Sequence, residues 1–176
     1  LKLLSNSINK NTNKKNNKML NINLDNNSGP KRIKLANGYH YYNRKINWDV
    51  IDNDHEQVIS IHRWNWLLRS ITDEDNSVSI NWGGNMIRSY LNKFGPLPNN
   101  FSESYTVGER ISNTILFFRS KNNRWDKVPQ DIRNDLLIMS NYLSNNLEFH
   151  YRDLTGNHLF NNARALLLLG YAFNQK

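Results

Sequence analysis

The residues best equipped for chemistry stand in the run 154–173, L-T-G-N-H-L-F-N-N-A-R-A-L-L-L-L-G-Y-A-F. Asn157 and His158 are neighbours there, with Asn161, Asn162 and Arg164 close behind. A side-chain amide donates hydrogen bonds without titrating, and an imidazole gains or loses a proton near neutrality. The pair therefore joins a fixed donor to a proton carrier. A structural use competes with this one: Asn157 or Thr155 caps the first free amides of a helix, and His158 is a hydrogen-bonded core histidine. Polar groups at the mouth of a buried helix either satisfy one another or face a ligand.

Four more residues belong with them. Arg110 and Asn113 lie three apart, so one face of a helix carries both. An internal salt bridge from Arg110 to Glu109 or Glu148 is one use for that guanidinium. Tyr105 either staples the start of its helix or stacks and hydrogen-bonds at the edge of a cleft. Trp66 falls off the main apolar face of its helix, whereas the spacing of Trp64 and Trp82 suits a core. No His/Asp/Glu group has the spacing of a metal site, and Gly83-Gly84 lies in a helical pattern with no strand before it. The chain has no cysteine, which excludes disulfides and thiol chemistry. The reading calls for no cofactor and no metal.

Helices must position these groups. Asp54-His55-Glu56-Gln57 reads as a capping box opening a helix to about Ser70, with Val58, Ile61, Trp64, Leu67, Leu68 and Ile71 inward. Thr72-Asp73-Glu74-Asp75 gives a second acidic start, and Val78, Trp82, Met86, Tyr90 and Phe94 space a helix ending at Gly95-Pro96. Thr106–Glu109 reads as a third start, continued by Ile111, Ile115 and Phe118. Pro129 opens a fourth helix to about His150. The fifth is 154–173, with Leu159, Phe160, Ala163, Leu166, Leu167 and Phe173 covering so much of its circumference that burial on several sides is expected. Before the helices, alternation around Ile33, Leu35, Tyr39 and Tyr41 predicts a short hairpin turning at Asn37-Gly38. Residues 1–30 are Asn/Lys-rich and expected to be flexible, 31–53 form a lead-in, and 54–176 form the helical domain. The fold class is all-α, an array of antiparallel helix hairpins.

The run 147–169, with Glu148, Gly156-Asn157-His158-Leu159-Phe160 and Asn162-Ala163-Arg164-Ala165-Leu166, resembles the heparinase II/III family of polysaccharide lyases. Tyr105-Thr106-Val107-Gly108-Glu109-Arg110-Ile111-Ser112-Asn113 is similar to a second signature of that family. Ile46-Asn47-Trp48 through Arg63-Trp64-Asn65-Trp66 is similar to the first of its N-terminal signatures. The resemblance implies an incomplete α/α toroid and a periplasmic or secreted setting. It also implies β-elimination on a uronic-acid polysaccharide, such as heparan sulfate or alginate. There the hydrogen on C5 of the uronate becomes removable only when the adjacent carboxylate is neutralised. A base takes that hydrogen and an acid protonates the departing glycosidic oxygen. On the resemblance Asn157 neutralises the carboxylate, while His158 assists it or transfers a proton. Arg110 and Asn113 line the groove, Arg110 pairing a substrate carboxylate. Tyr105 and Trp66 contact sugar. A catalytic tyrosine and a β-sandwich domain are expected beyond Lys176, and both ends of the chain read as cut.

Composition leaves other partners to weigh. The 176 residues suit one domain; hydrophobic content is 38% and mean hydropathy −0.74. Net charge is +8, but much of the excess lies in the first 45 residues and not along a helix face. With no recognition motif either, a nucleic-acid-binding helical protein is the weaker alternative. A non-catalytic glycan-binding domain is the nearer one. No stretch reaches the ~18 apolar residues of a membrane span. Oligomeric state is not encoded in any pattern of the chain.

Overall fold

The computed structural model describes residues 29–43, 45–49, 52–72, 78–121, 125–148 and 156–174. The expected flexible tail up to residue 28, the acidic start at Asp73-Glu74-Asp75 and the Thr155 cap lie outside the described residues. A hairpin comes first: β1 (Arg32–Lys34) and β2 (Tyr39–Tyr41) pair antiparallel, Ile33 opposite His40. Its turn falls at Asn37-Gly38 as predicted, the Leu35 amide donating to the Gly38 carbonyl at 2.8 Å. The Asn37 amide then donates to Gln57 Oε1 at 2.8 Å, which fastens the turn to the first helix.

The rest is helical: α1 (His55–Arg63), α2 (Asn65–Thr72), α3 (Ile80–Phe94), α4 (Ser104–Ser120), α5 (Gln130–Asn145) and α6 (Asn157–Asn174). A short 3-10 turn, Trp125–Lys127, precedes α5. No helix among the described residues is long and apolar enough to cross a membrane.

The single helix expected from Asp54 to Ser70 is two. Asp54 does cap α1, its carboxylate accepting from the Glu56 amide at 2.9 Å. The helix then breaks at Trp64, which adopts a left-handed conformation at φ 60°. A bulky residue pays a conformational penalty there unless its surroundings hold it. They do so through the carbonyls the break sets free. Ile61 O accepts from Trp66 Nε1 at 3.1 Å, His62 O from Arg110 Nε at 2.6 Å, and Arg63 O from Asn113 Nδ2 at 2.9 Å. Three side chains thus do what the next helical turn would have done.

α3 starts at Ser79, whose hydroxyl accepts from the Trp82 amide at 3.1 Å, and stops at Gly95 with φ 72°. α4 begins two residues ahead of the expected Thr106. The Thr106 hydroxyl, already in its first turn, donates to Glu103 Oε1 at 2.7 Å.

The centre of the molecule is α4, not the leucine-rich last helix. Nearly all of α4 is buried, because α1, α2, α5 and α6 pack around it and α3 meets it where Gly83 faces Phe117. Small residues let them approach: a Cβ on Gly83 of α3 would stand 2.2 Å from the Phe117 ring of α4. α6 is covered on one side only. Phe160 is 76% exposed, Leu167 74% and Tyr171 60%, which corrects the expectation of burial on several sides. Hydrophobic circumference records what a helix offers, not how many neighbours accept it.

α4 and α6 run parallel. Asn161 Nδ2 donates to the Tyr105 carbonyl at 3.1 Å, Arg164 pairs with Glu109, and Ile115 and Phe118 share a hollow with Leu168 and Ala172. α5 runs back against them, so that the Ser104 hydroxyl at the start of α4 donates to the Asn146 carbonyl just past the end of α5.

Candidate functional site

Because α4 and α6 are parallel, their first turns lie side by side and gather polar residues at one end of the molecule. Gly108 sets how close they come. A Cβ there would meet the Asn161 side chain at 3.0 Å and the Asn162 side chain at 3.2 Å. Asn162 is buried, and the amide orientation that satisfies both of its polar atoms sets the nitrogen against the carbonyls of Ser104 and His158, at 3.1 and 3.2 Å. These two asparagines knit the helices together, leaving the outer side of the first turn to Asn157 and His158.

His158 is about half exposed. Its Nδ1 lies 2.6 Å from Glu148 Oε2, and its ring packs on Tyr105 with centroids 4.6 Å apart. Arg63 covers Tyr105 in turn, its guanidinium carbon 5.0 Å from the ring centroid, while Nη1 bonds Glu56 Oε2 at 3.0 Å. Two turns further along α6, Arg164 gives Nη2 to the largely buried Glu109 at 2.6 Å and is otherwise 41% exposed. Glu109 also accepts from Asn113 Nδ2 at 3.3 Å.

The structure brings Tyr105, Asn157 and His158 together and takes three other expected site residues elsewhere. Asn157 is exposed and is itself the first residue of α6. Asn113 is buried against the carbonyl of Arg63 and Asn65 Oδ1, where it secures the α1–α2 corner. Arg110 is 0% exposed, so it does not line a groove. Nor does it bridge to Glu109 or Glu148. Its Nε, Nη1 and Nη2 donate to the carbonyls of His62, Pro96 and Phe101 at 2.6, 3.0 and 2.7 Å. Burial draws its pKa below the ordinary guanidinium value, countered by Tyr90 and Glu103. Trp66 is also 0% exposed and packs at tilted and edge-to-face angles among Trp48, Trp64 and Trp82, which removes it as a sugar platform.

His62, although a histidine, is set for packing. Its ring stacks on Phe101 at 3.6 Å, and its Nδ1 lies 2.6 Å from the Tyr90 hydroxyl. Burial, with the nearby Arg110 charge adding to it, lowers its pKa to about 3. It is neutral wherever enzymes commonly work.

The Glu109–Arg164 pair is what sequence reasoning passed over: Arg164 reads among the polar residues opening its helix, and Glu109 as a partner for Arg110. Their signal was present: a carboxylate in the middle of a buried helix needs a cation, and Arg164 interrupts an otherwise apolar run. Among the described residues no group of three or more His, Asp or Glu side chains could hold a metal ion. An apolar hollow, lined by Phe118, Trp125, Leu168 and Tyr171, lies at the far ends of α4 and α6, away from His158. No family model matches the chain, and neither a curated protein nor a solved structure matches it.

Proposed function

We propose that this end of α4 and α6 binds a uronic-acid polysaccharide and forms part of a β-elimination site, within a helical array of the α/α-toroid kind. The parallel α4 and α6, with α5 running back between them in sequence, support that array. One observation carries the functional reading: the exposed imidazole of His158 packs on Tyr105 next to the exposed amide of Asn157, with the Arg164 guanidinium on Glu109 further along α6. A uronate carboxylate needs donors that do not titrate, and Asn157 supplies them, with Arg164, held on Glu109, as a cation further along α6. In the reaction the C5 hydrogen leaves as a proton and its electron pair forms the C4–C5 double bond. The C4–O bond breaks, and the departing oxygen takes a proton. Neutralising the carboxylate lowers the barrier by stabilising the enolate-like charge that builds up on it.

The test is a titration of the ¹⁵N-labelled chain with oligouronates from alginate and from heparan sulfate. Amide shifts concentrated at Tyr105, Asn157, His158 and Arg164 are expected, with single-stranded RNA failing to reproduce them. No shift at these positions with either polymer overturns the reading. Binding together with an absence of turnover in every form of the protein favours the non-catalytic glycan-binding alternative.

A further inference from the structure

We infer that Glu148 is a positioning residue that fixes the tautomer of His158 and so decides which of two jobs the imidazole does. This rests on the site reading above, which leaves His158 either donating to the uronate carboxylate beside Asn157 or carrying the proton.

The geometry selects between them. Glu148 Oε2 lies 2.6 Å from His158 Nδ1. An ionised carboxylate only accepts, so in the neutral ring the hydrogen sits on Nδ1. Nε2 is then left with its lone pair, and among the described residues none bonds to it. The Tyr105 ring packs against the imidazole at 4.6 Å between centroids, tilted by 44°, which limits rotation away from Glu148. Asn162, by turning its amide to the His158 carbonyl at 3.2 Å, holds the backbone beneath it.

A bare Nε2 lone pair repels a carboxylate oxygen. His158 in this tautomer is therefore a poor neutraliser and a good acceptor for a proton. It takes the C5 proton on Nε2 while the electron pair passes into the C4–C5 bond and the C4–O bond breaks. The resulting imidazolium keeps Nδ1–H on the Glu148 carboxylate, which stabilises the charge just formed. Carboxylate neutralisation then falls to Asn157 and not to His158. Glu148 comes from the segment after α5, so the return of α5 to the start of α4 is what delivers it.

The experiment is a two-bond ¹H–¹⁵N correlation on the ¹⁵N-histidine-labelled chain, at a pH where the imidazoles are neutral. The chain has five histidines. The His158 signals are those missing in His158→Gln. Expected is a protonated Nδ1 and a bare Nε2, the reverse of the tautomer that free imidazole side chains favour. In Glu148→Ala the Nδ1–H pattern is lost, with the His62 signals unmoved. An Nε2–H tautomer in the wild-type chain overturns the proposal, as does an unchanged tautomer in Glu148→Ala. If the alanine variant fails to fold, Glu148→Asp retracts the carboxylate by one methylene and is read the same way. The wild-type spectrum decides the tautomer in either case. Failure of the oligouronate titration, with the tautomer as expected, would remove the lyase reading and leave the Glu148–His158 arrangement standing.

Discussion

Arg110 Nε meets the carbonyl oxygen of His62 at 2.6 Å, and that bond ties the middle of α4 to the end of α1. The same guanidinium closes on Pro96 and Phe101, so one side chain fastens α1 and the α3–α4 connection to the central helix. Arg110→Ala would take the donor from the buried carbonyl of His62 and from the part-buried carbonyls of Pro96 and Phe101, where an unsatisfied buried group costs about 1–3 kcal/mol. We expect a loss of about 3 kcal/mol or more in urea unfolding. Arg110→Lys, with one nitrogen in place of a three-pronged fork, should recover only part of it. A loss below about 1 kcal/mol for the alanine variant contradicts the assignment, since that is no more than one ordinary hydrogen bond.

Stability should be bounded on both sides in pH by two neighbouring rings. His62 in the fold holds its pKa at about 3, against an ordinary 6.5. Between those values the unfolded chain binds a proton that the folded chain refuses, so stability rises with pH there, by at most about 1.4 kcal/mol per unit. Tyr90 is the mirror case, pushed up to about 12 by burial despite the opposing pull of Arg110. Above its ordinary value of 10.0 the unfolded chain loses a proton that the fold retains, and stability falls as pH rises. Urea midpoints compared at about pH 5 and pH 7 should differ clearly in the wild-type chain and much less in His62→Asn, which no longer titrates. Equal pH sensitivity in both would assign the effect to other groups.

Gly83→Ala separates packing from helix propensity. Alanine in mid-helix is intrinsically better than glycine by roughly 0.5–1 kcal/mol. The new methyl, however, would sit 2.2 Å from the buried Phe117 ring. Overpacking of this kind costs typically about 1–3 kcal/mol, so a net destabilisation is expected in thermal unfolding. Gly170 is the control, because nothing lies within 4 Å of a Cβ there. Gly170→Ala should be neutral or stabilising. An increase in melting temperature for Gly83→Ala would mean that α3 and α4 are further apart than described.

At the site, Asn157→Ala should weaken oligouronate binding about 10-fold, roughly 1.4 kcal/mol, with the melting temperature nearly unchanged. Wherever turnover is measurable, it should fall by roughly 10²–10³, the loss typical of a missing donor to a developing oxyanion. A purely structural asparagine gives the opposite pattern: about 1 kcal/mol of stability lost and binding intact. Calorimetry and unfolding on the same sample separate the two.

Local features of this chain were legible in advance. The Asn37-Gly38 turn, the Asp54 cap and the Gly95-Pro96 stop each depend on residues a few positions apart, and each is where the sequence put it. Trp64 was not legible as a helix break. What holds it is Arg110 and Asn113, whose partners are 48 and 50 residues away in the chain. The same cause misplaced Arg110 and Trp66. Both read as available side chains, and only the packing of α4 against the α1–α2 corner encloses them. For the site, the polar residues opening α6 were readable as a group. Their counterparts on α4 were not, because a parallel pair of helices leaves no local mark of its register. The burial of α6 was overestimated for a related reason, since its leucines do not say which side faces another helix.

That parallel register has a consequence for how this chain tolerates change in length. Tyr105 with Asn161 and Glu109 with Arg164 are separated by 56 and 55 residues, so the two helices advance nearly in step. One residue inserted between Asn161 and Arg164 would turn everything beyond it by about 100° and move it by about 1.5 Å. Asn161 would stay on Tyr105, while Arg164 would swing off Glu109 and leave a largely buried carboxylate without its cation. Lengthening a connection outside the helices leaves the Tyr105–Glu109 and Asn161–Arg164 steps unchanged. Descendants of this sequence should therefore vary in length between helices, and keep the three-residue step from Asn161 to Arg164.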